Sequence, residues 1–183
     1  VAGKRWTSEQ KKRIADSRIE GTRFLVSTLA RLGNCKVFVG ASAIGFYGPD
    51  KINGKPFTED AAPSVGFLEE TCAGWEAEEK KASAFARTAI LRIGIVLARE
   101  GGALPEFIRT APVRVLGIPG SGKQIISWIH VDDLAAMFVH ALQSSDISGV
   151  YNAVAPNPVS CTQMMNTIAT EKGGFFIKMP VPS

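Results

Sequence analysis

The chain has 183 residues, 45% of them hydrophobic, enough for a domain with a sizeable core. Lys and Arg total 21 against 17 Asp and Glu, a net charge of +4; the two signs are interspersed, so the excess makes no case for a nucleic-acid or membrane partner. Cys35, Cys72 and Cys161 are odd in number and far apart, which argues against a disulfide framework or zinc site and for a reducing compartment, the cytoplasm or an organelle interior.

In chain order, residues 5–33 predict a long helix. Thr7 is a good N-cap, Gln10 completes a capping box, and Gly33 suits the C-terminal stop. Ile14, Phe24, Leu25 and Leu29 supply its apolar face. "KVFVGAS" predicts a short buried strand, followed by a polar Gly/Pro-rich loop. "GFLEETCAGWEAEEKKAS" predicts an amphipathic helix with Leu68, Cys72 and Trp75 at i, i+4 and i+7. "TAILRIGIVLA" predicts a second buried strand, and "GGALPEFIRTAP" a short helix after a glycine turn. "KQIISWI" reads as a strand, "DDLAAMFVHALQ" as a helix capped by Asp132, and "GVYNAV" as a further strand. The last helix, in "SCTQMMNTIATEKGG", has Ser160 and Gln163 as its capping box. Strands alternating with helices predict an α/β fold with a largely parallel sheet. No apolar run reaches the length of a membrane span, and no stretch reads as a signal peptide.

Four stretches invite a chemical reading. "GIPGSGKQ", residues 117–124, matches the phosphate loop G-x-x-x-x-G-K, but Gln124 replaces the Ser or Thr that would reach Mg²⁺, and a β-branched run follows where a helix is needed. A turn between sheet elements is the plainer reading, and an NTPase the chemical one. "GASAIG" approaches the nucleophile elbow G-x-S-x-G around Ser42, with Ile44 at the second glycine position; His130 or His140 would have to serve as base. Ser42 at a strand end also suits a hydroxyl that holds a substrate oxygen, since ligands of open α/β sheets sit at strand carboxyl ends. His130, Asp132 and Asp133 could ligate a metal, but a helix cap and first-turn acids explain the two aspartates, so no metal is expected. The acidic residues of the second helix could serve as acid–base groups, but a solvated face with i, i+4 pairs to Lys80 and Lys81 is the plainer expectation.

Taken together, "AGKRWT", "SRIEGT", "GASAIGFYG", "FLEETCAGWE", "LRIGIVLAREGGAL", "GSGKQIISWIHVDDL" and "VYNAVAPNPVS" resemble the extended short-chain dehydrogenase/reductases of the NAD-dependent epimerase/dehydratase superfamily. Within it the chain is similar to the atypical branch labelled sugar-nucleotide epimerase-like or cell-division-inhibitor-like. The resemblance implies a Rossmann-like doubly wound parallel sheet, of which this is the later part, with part of a small substrate-side domain. Residues 1–112 would belong to the dinucleotide-binding domain and 113–183 mainly to the substrate side. It also implies NADP, or NAD, as cofactor and a small-molecule substrate. The family's glycine fingerprint lies on its first strand, and "VAG" resembles the end of a later one, so a longer protein is expected on both sides of this chain.

By the same resemblance, Val1, Ala2, Gly3, Arg18, Ile95 and Val96 fall at cofactor-contacting positions, and Gln124 and Trp128 on the substrate-side strand. Ser42 resembles the catalytic serine. The family's Tyr-x-x-x-Lys pair has no counterpart: Phe67 stands about where the tyrosine would be, and Tyr47 is the nearest phenol, as a substitute or as packing in its turn. Two functions are therefore expected as alternatives. One is an NAD(P)-dependent oxidoreductase or epimerase with Ser42 and Tyr47 as catalytic candidates. The other is a dinucleotide-binding sensor or interaction protein, linked to cell or organelle division, whose chemistry is lost.

Overall fold

A computed structural model of the chain describes residues 6–50 and 54–181. In order the elements are α1 (Ser8–Leu32), β1 (Val37–Ala43), α2 (Phe67–Lys80), β2 (Arg87–Ile93), β3 (Ile95–Leu97), α3 (Leu104–Phe107) and β4 (Val115–Pro119). Then come β5 (Ile125–Ile126), β6 (Trp128–His130), α4 (Val131–Gln143), β7 (Gly149–Ala153), β8 (Val159–Ser160), α5 (Cys161–Lys172) and β9 (Ile177–Val181). Strands β1 and β2 pair in parallel, as do β3 with β6 and β4 with β9. The expected Rossmann-like α/β architecture is the one the chain adopts. Two compact units are separable: residues 1–93 with 136–152, and residues 94–135 with 153–183.

In the first unit the sheet order is β1-β2-β7. Five consecutive residues of β2, Thr88 to Arg92, are buried, as in a strand covered on both faces. β1 instead alternates, burying Phe38, Gly40 and Ser42 and leaving the residues between them half-exposed. Helix α1 starts as expected, with the Gln10 amide donating to the Thr7 hydroxyl, and ends on Gly33 in the left-handed conformation. Its buried residues are Ile14 and Val26, while Phe24 and Leu25 are 71% and 48% exposed. Only part of the expected apolar face turns inward, because Val26 and not its two larger neighbours meets Phe38 and Ala82. The Arg87 guanidinium donates to the carbonyls of Ala141, Leu142 and Ile147, satisfying the C-terminal end of α4 against the start of β2.

The second unit has its own core, in which Leu116, Met165, Ile129, Cys161 and Ile126 are almost fully buried. Both long strands expected here are broken. "TAILRIGIVLA" divides at Gly94, whose N–H goes to the Ala153 carbonyl. A β-carbon at Gly94 would overlap the Ser127 carbonyl and the Val154 side chain, so the backbones approach too closely for any other residue. "KQIISWI" divides into β5, which pairs antiparallel with β8, and β6, which pairs with β3. Helix α4 begins at Val131, so Asp132 lies inside its first turn instead of capping it, and the Asp132 N–H donates to His130 Nδ1 at 3.2 Å. Helix α5 carries the complete Ser160–Gln163 capping box. Among the described residues no helix is long and apolar enough to cross a membrane.

Candidate functional site

Helix α2 lies along β1, and their two periodicities mesh. Inward from the strand come Ser42, Gly40 and Phe38; inward from the helix side come Cys72, Glu76, Glu79 and, past its end, Ala82. Cys72 hydrogen-bonds the backbone of Ala43. The Ser42 hydroxyl donates to Glu76 Oε1 at 2.8 Å. Glu79 accepts from the backbone of Ala41 and lies flat over Gly40, where a β-carbon would overlap its carboxyl group. Three of these partners are two residues apart in the strand or less, and three to four apart in the helix, so one helical face reads one strand face.

The expected solvated face is thus overturned for three glutamates: Glu76, Glu78 and Glu79 are 1%, 6% and 2% exposed. Each has a different fate. Glu78 joins α1 to α2, with Arg23 at 3.0 Å and Lys81 at 2.6 Å, and these two cations hold its carboxyl below the usual range. Glu76 meets Arg92 of β2 in a two-pronged contact, Nε to Oε1 at 2.8 Å and Nη2 to Oε2 at 2.9 Å. Burial works to raise the Glu76 carboxyl, but the Arg92 fork and the Ser42 hydroxyl outweigh it and keep the group ionised. Glu79 has no cation in such contact. Burial, and then the negative charge of Glu76, push its pKa up to about 8, and Oε2 finds no hydrogen-bond partner among the described residues.

Arg92 extends the cluster to the strand's carboxyl end. Its Nη1 donates to Tyr47 Oη at 2.8 Å and to the Glu59 carbonyl at 3.0 Å, and its guanidinium stacks 3.6 Å from the centre of the Phe46 ring. Tyr47 in turn donates to Asn152 Oδ1 at 2.6 Å and stacks on Phe57. The Asn152 amide donates to Glu59 Oε1 at 2.8 Å. One continuous network therefore runs from Ser42 through Glu76 and Arg92 to Tyr47 and Asn152, and straps the loop bearing Phe57 and Glu59 onto the end of β7.

Of the residues singled out from sequence, Ser42 and Tyr47 are brought together by this network, 2% and 5% exposed. Val1, Ala2 and Gly3 lie outside the described residues. Arg18 is half-buried, folded back on the Ile14 carbonyl and Ser17 and stacked 5.5 Å over Trp75 of α2. Phe67 opens α2 edge-on to Trp6, and the side chain that reaches Ser42 from this helix is Glu76. In the second unit Ile95 and Val96 form β3; the Ile95 N–H donates to Ser127 and the Val96 carbonyl accepts from Ala103. Gln124 braces its own turn by donating to the Pro119 carbonyl, and Trp128 Nε1 donates to Asn157. The turn of "GIPGSGKQ" joins β4 to β5 and opens no helix; its Gly122 and Gln124 carbonyls take up the first two amides of α5. No group of three or more His, Cys, Asp or Glu side chains suited to a metal occurs among the described residues.

Sequence reasoning missed Glu76, Glu79, Arg92, Glu59 and Asn152. Two signals pointed to the first three. Arg92 is the only charge inside the apolar run "TAILRIGIV", and a charge in a covered strand demands a buried partner. Glu76 and Glu79 stand four and seven residues after Cys72, on the face that Cys72 turns to the core.

A family model described as NAD dependent epimerase/dehydratase family matches residues 1–153. The chain is 40% identical over 179 residues to the epimerase family protein YfhF of Bacillus subtilis, covering 94% of this chain and 58% of that one. It is 37% identical over 169 residues to the chloroplastic epimerase family protein SDR39U1 homolog of Arabidopsis thaliana, covering 91% of this chain and 48% of that one. The chain thus spans about half the length of these relatives. Among solved structures, human epimerase family protein SDR39U1 (isoform 2) with NADPH superposes with a TM-score of 0.89 at 29% identity, over 97% of this chain and 60% of that one. A nucleoside-diphosphate sugar epimerase from Corynebacterium glutamicum gives 0.81 at 36% identity, over 92% and 36%.

Proposed function

The chain belongs to the NAD-dependent epimerase/dehydratase family, and on that footing we propose that the full-length protein binds NADP(H), or NAD(H), and exchanges hydride with a small or nucleotide-linked substrate, as an oxidoreductase or epimerase. The human relative was solved with NADPH. The donor set fits the reacting end of such a cofactor: a serine hydroxyl and a phenol at the carboxyl end of β1, joined through a buried ion pair, where open α/β sheets take their ligands. When bound, the dinucleotide supplies the hydride chemistry. This chain's part is to position: Ser42 meets the substrate oxygen, while Glu76 and Arg92 fix the orientation of Ser42 and Tyr47. The observation that carries the reading is that network, which unites the two hydroxyls selected from sequence.

A second reading, a dinucleotide-binding sensor or interaction protein without turnover, is favoured by a different observation. Helix α2 contains no tyrosine, and the hydroxyls of Ser42 and Tyr47 are shielded and already donate to Glu76 and Asn152. Titrating full-length protein with NADPH, followed by cofactor fluorescence, and then adding a panel of carbonyl compounds separates the two. Turnover that Ser42→Ala abolishes supports the first reading. Tight NADPH binding with no turnover supports the second, and no binding of NADPH or NADH defeats both.

A further inference from the structure

A serine that orients a ligand oxygen has one proton to give. In this protein that proton is spent: it lies on Glu76 Oε1, 2.8 Å away. The acceptor cannot turn aside, because the Arg92 fork grips both its oxygens and both side chains are buried, 3% and 1% exposed. Arg92 is itself held, through Nη1, by Tyr47 and the Glu59 carbonyl. An ionised carboxylate only accepts, so the Ser42 oxygen keeps only acceptor capacity for anything else that reaches it. The same holds at Tyr47, whose proton is on Asn152 Oδ1. A Ser42 oxygen that can only accept favours a partner oxygen that brings a hydrogen.

We propose that Glu76 is the specificity-determining positioning residue of this site: by taking the proton of Ser42 it makes the serine an acceptor, so that the site selects a ligand hydroxyl over the corresponding carbonyl. This rests on the reading above, in which Ser42 meets a ligand oxygen, and adds which chemical form of that ligand the site prefers.

The test uses the full-length protein and probe pairs that carry a hydroxyl or a carbonyl on the same frame: cyclohexanol against cyclohexanone, and UDP-6-deoxyglucose against UDP-4-keto-6-deoxyglucose, with affinities measured by calorimetry. In the wild type the hydroxyl member of a pair binds about tenfold tighter, the worth of one well-placed hydrogen bond. Glu76→Gln keeps the shape but removes the charge and sets an amide NH2 where one acceptor oxygen stood, so the hold on the serine proton weakens and the preference collapses or inverts. Glu76→Asp, still acceptor-only, retains it. NADPH affinity serves as the folding control for each variant. A wild-type preference for the carbonyl member, a ratio that Glu76→Gln leaves unchanged, or the absence of binding by any of the four probes overturns the proposal. If Ser42→Ala leaves all affinities unchanged, the reading that Ser42 touches the ligand falls as well. If Ser42→Ala weakens binding but Glu76→Gln moves no ratio, only the role of Glu76 falls.

Discussion

Glu76 and Glu79 are one helical turn apart, equally buried, and opposite in charge state. Arg92 and Ser42 keep the first ionised; the second, lacking a cation in contact, holds its proton up to a pKa of about 8. The consequence for stability follows from linkage. Below the ordinary glutamate pKa of 4.5, Glu79 is protonated both folded and unfolded and adds no slope. Between there and about 8 the unfolded chain loses the proton while the folded chain keeps it, so stability falls as pH rises and levels off above the folded pKa. Glu76 and Glu78 act in the other direction, since their folded values are lowered: their contribution is present above the unfolded pKa and is lost as the pH falls through the folded one. Glu79→Gln should therefore flatten the alkaline side alone. Thermal melts of wild type and variant should converge near pH 4.5 and separate toward pH 8, the variant being the more stable by roughly a few kcal/mol. Curves that run parallel across that range would show that Glu79 is not held neutral.

At the scale of elements, the question is what fastens α2 to the sheet. Arg92 reaches from β2 to the helix, to the turn after β1 and to the loop that precedes α2. Removing it leaves the buried Glu76 carboxylate with Lys80 alone, a looser partner at 3.7 Å whose side chain is 56% exposed, a cost of up to about 3–5 kcal/mol, whereas Arg92→Lys keeps the charge but loses the fork. Arg92→Met should lower the unfolding free energy extrapolated to zero urea by that amount, read as a lower midpoint with an unchanged slope, and Arg92→Lys by part of it. A loss of less than about 1 kcal/mol in Arg92→Met would place the strength of the contact elsewhere. These elements also mark where the sequence was readable. The ends of α1 and α5 were legible because Thr7, Gly33, Ser160 and Gln163 act on backbone within four residues of themselves. The alternation of helix and strand was legible from periodicity, which gave the fold class. The underside of α2 was not: charge is normally a sign of exposure, and what reverses it for Glu76 is an arginine sixteen residues on in another element. For the same reason Ser42 and Tyr47 could be named, while the groups that govern their protons could not. The break at Gly94 was hidden too, since its cause is the approach of the Ser127 carbonyl and Val154 from distant parts of the chain.

For the whole molecule, the second unit has one apolar cluster and the first has two among the described residues, and one buried thiol lies in each unit. Cys72 packs with Phe46 and Tyr47 in the first unit, beneath the site, and Cys161 packs with Leu116, Met165 and Ile126 in the second. Burial raises the pKa of both thiols, and at Cys72 the nearby Glu76 charge raises it further. A thiol that is both shielded and protonated is a poor nucleophile. Cys35 is half-buried, beside the start of β1. Of the three cysteines of this chain, Cys35 should thus react readily with iodoacetamide in native protein at neutral pH, and Cys72 and Cys161 only as the cores around them open. Because Cys72 and Cys161 sit in different units, mass spectrometry of protein alkylated at increasing urea reads the opening of each core separately. Arg92→Met should advance the exposure of Cys72 to lower urea, since it loosens the contact that holds α2 over that thiol. Labelling of Cys72 as fast as Cys35 in the absence of denaturant would mean that the α2–β1 contact, and with it the alignment of Glu76 on Ser42, is not kept closed in solution.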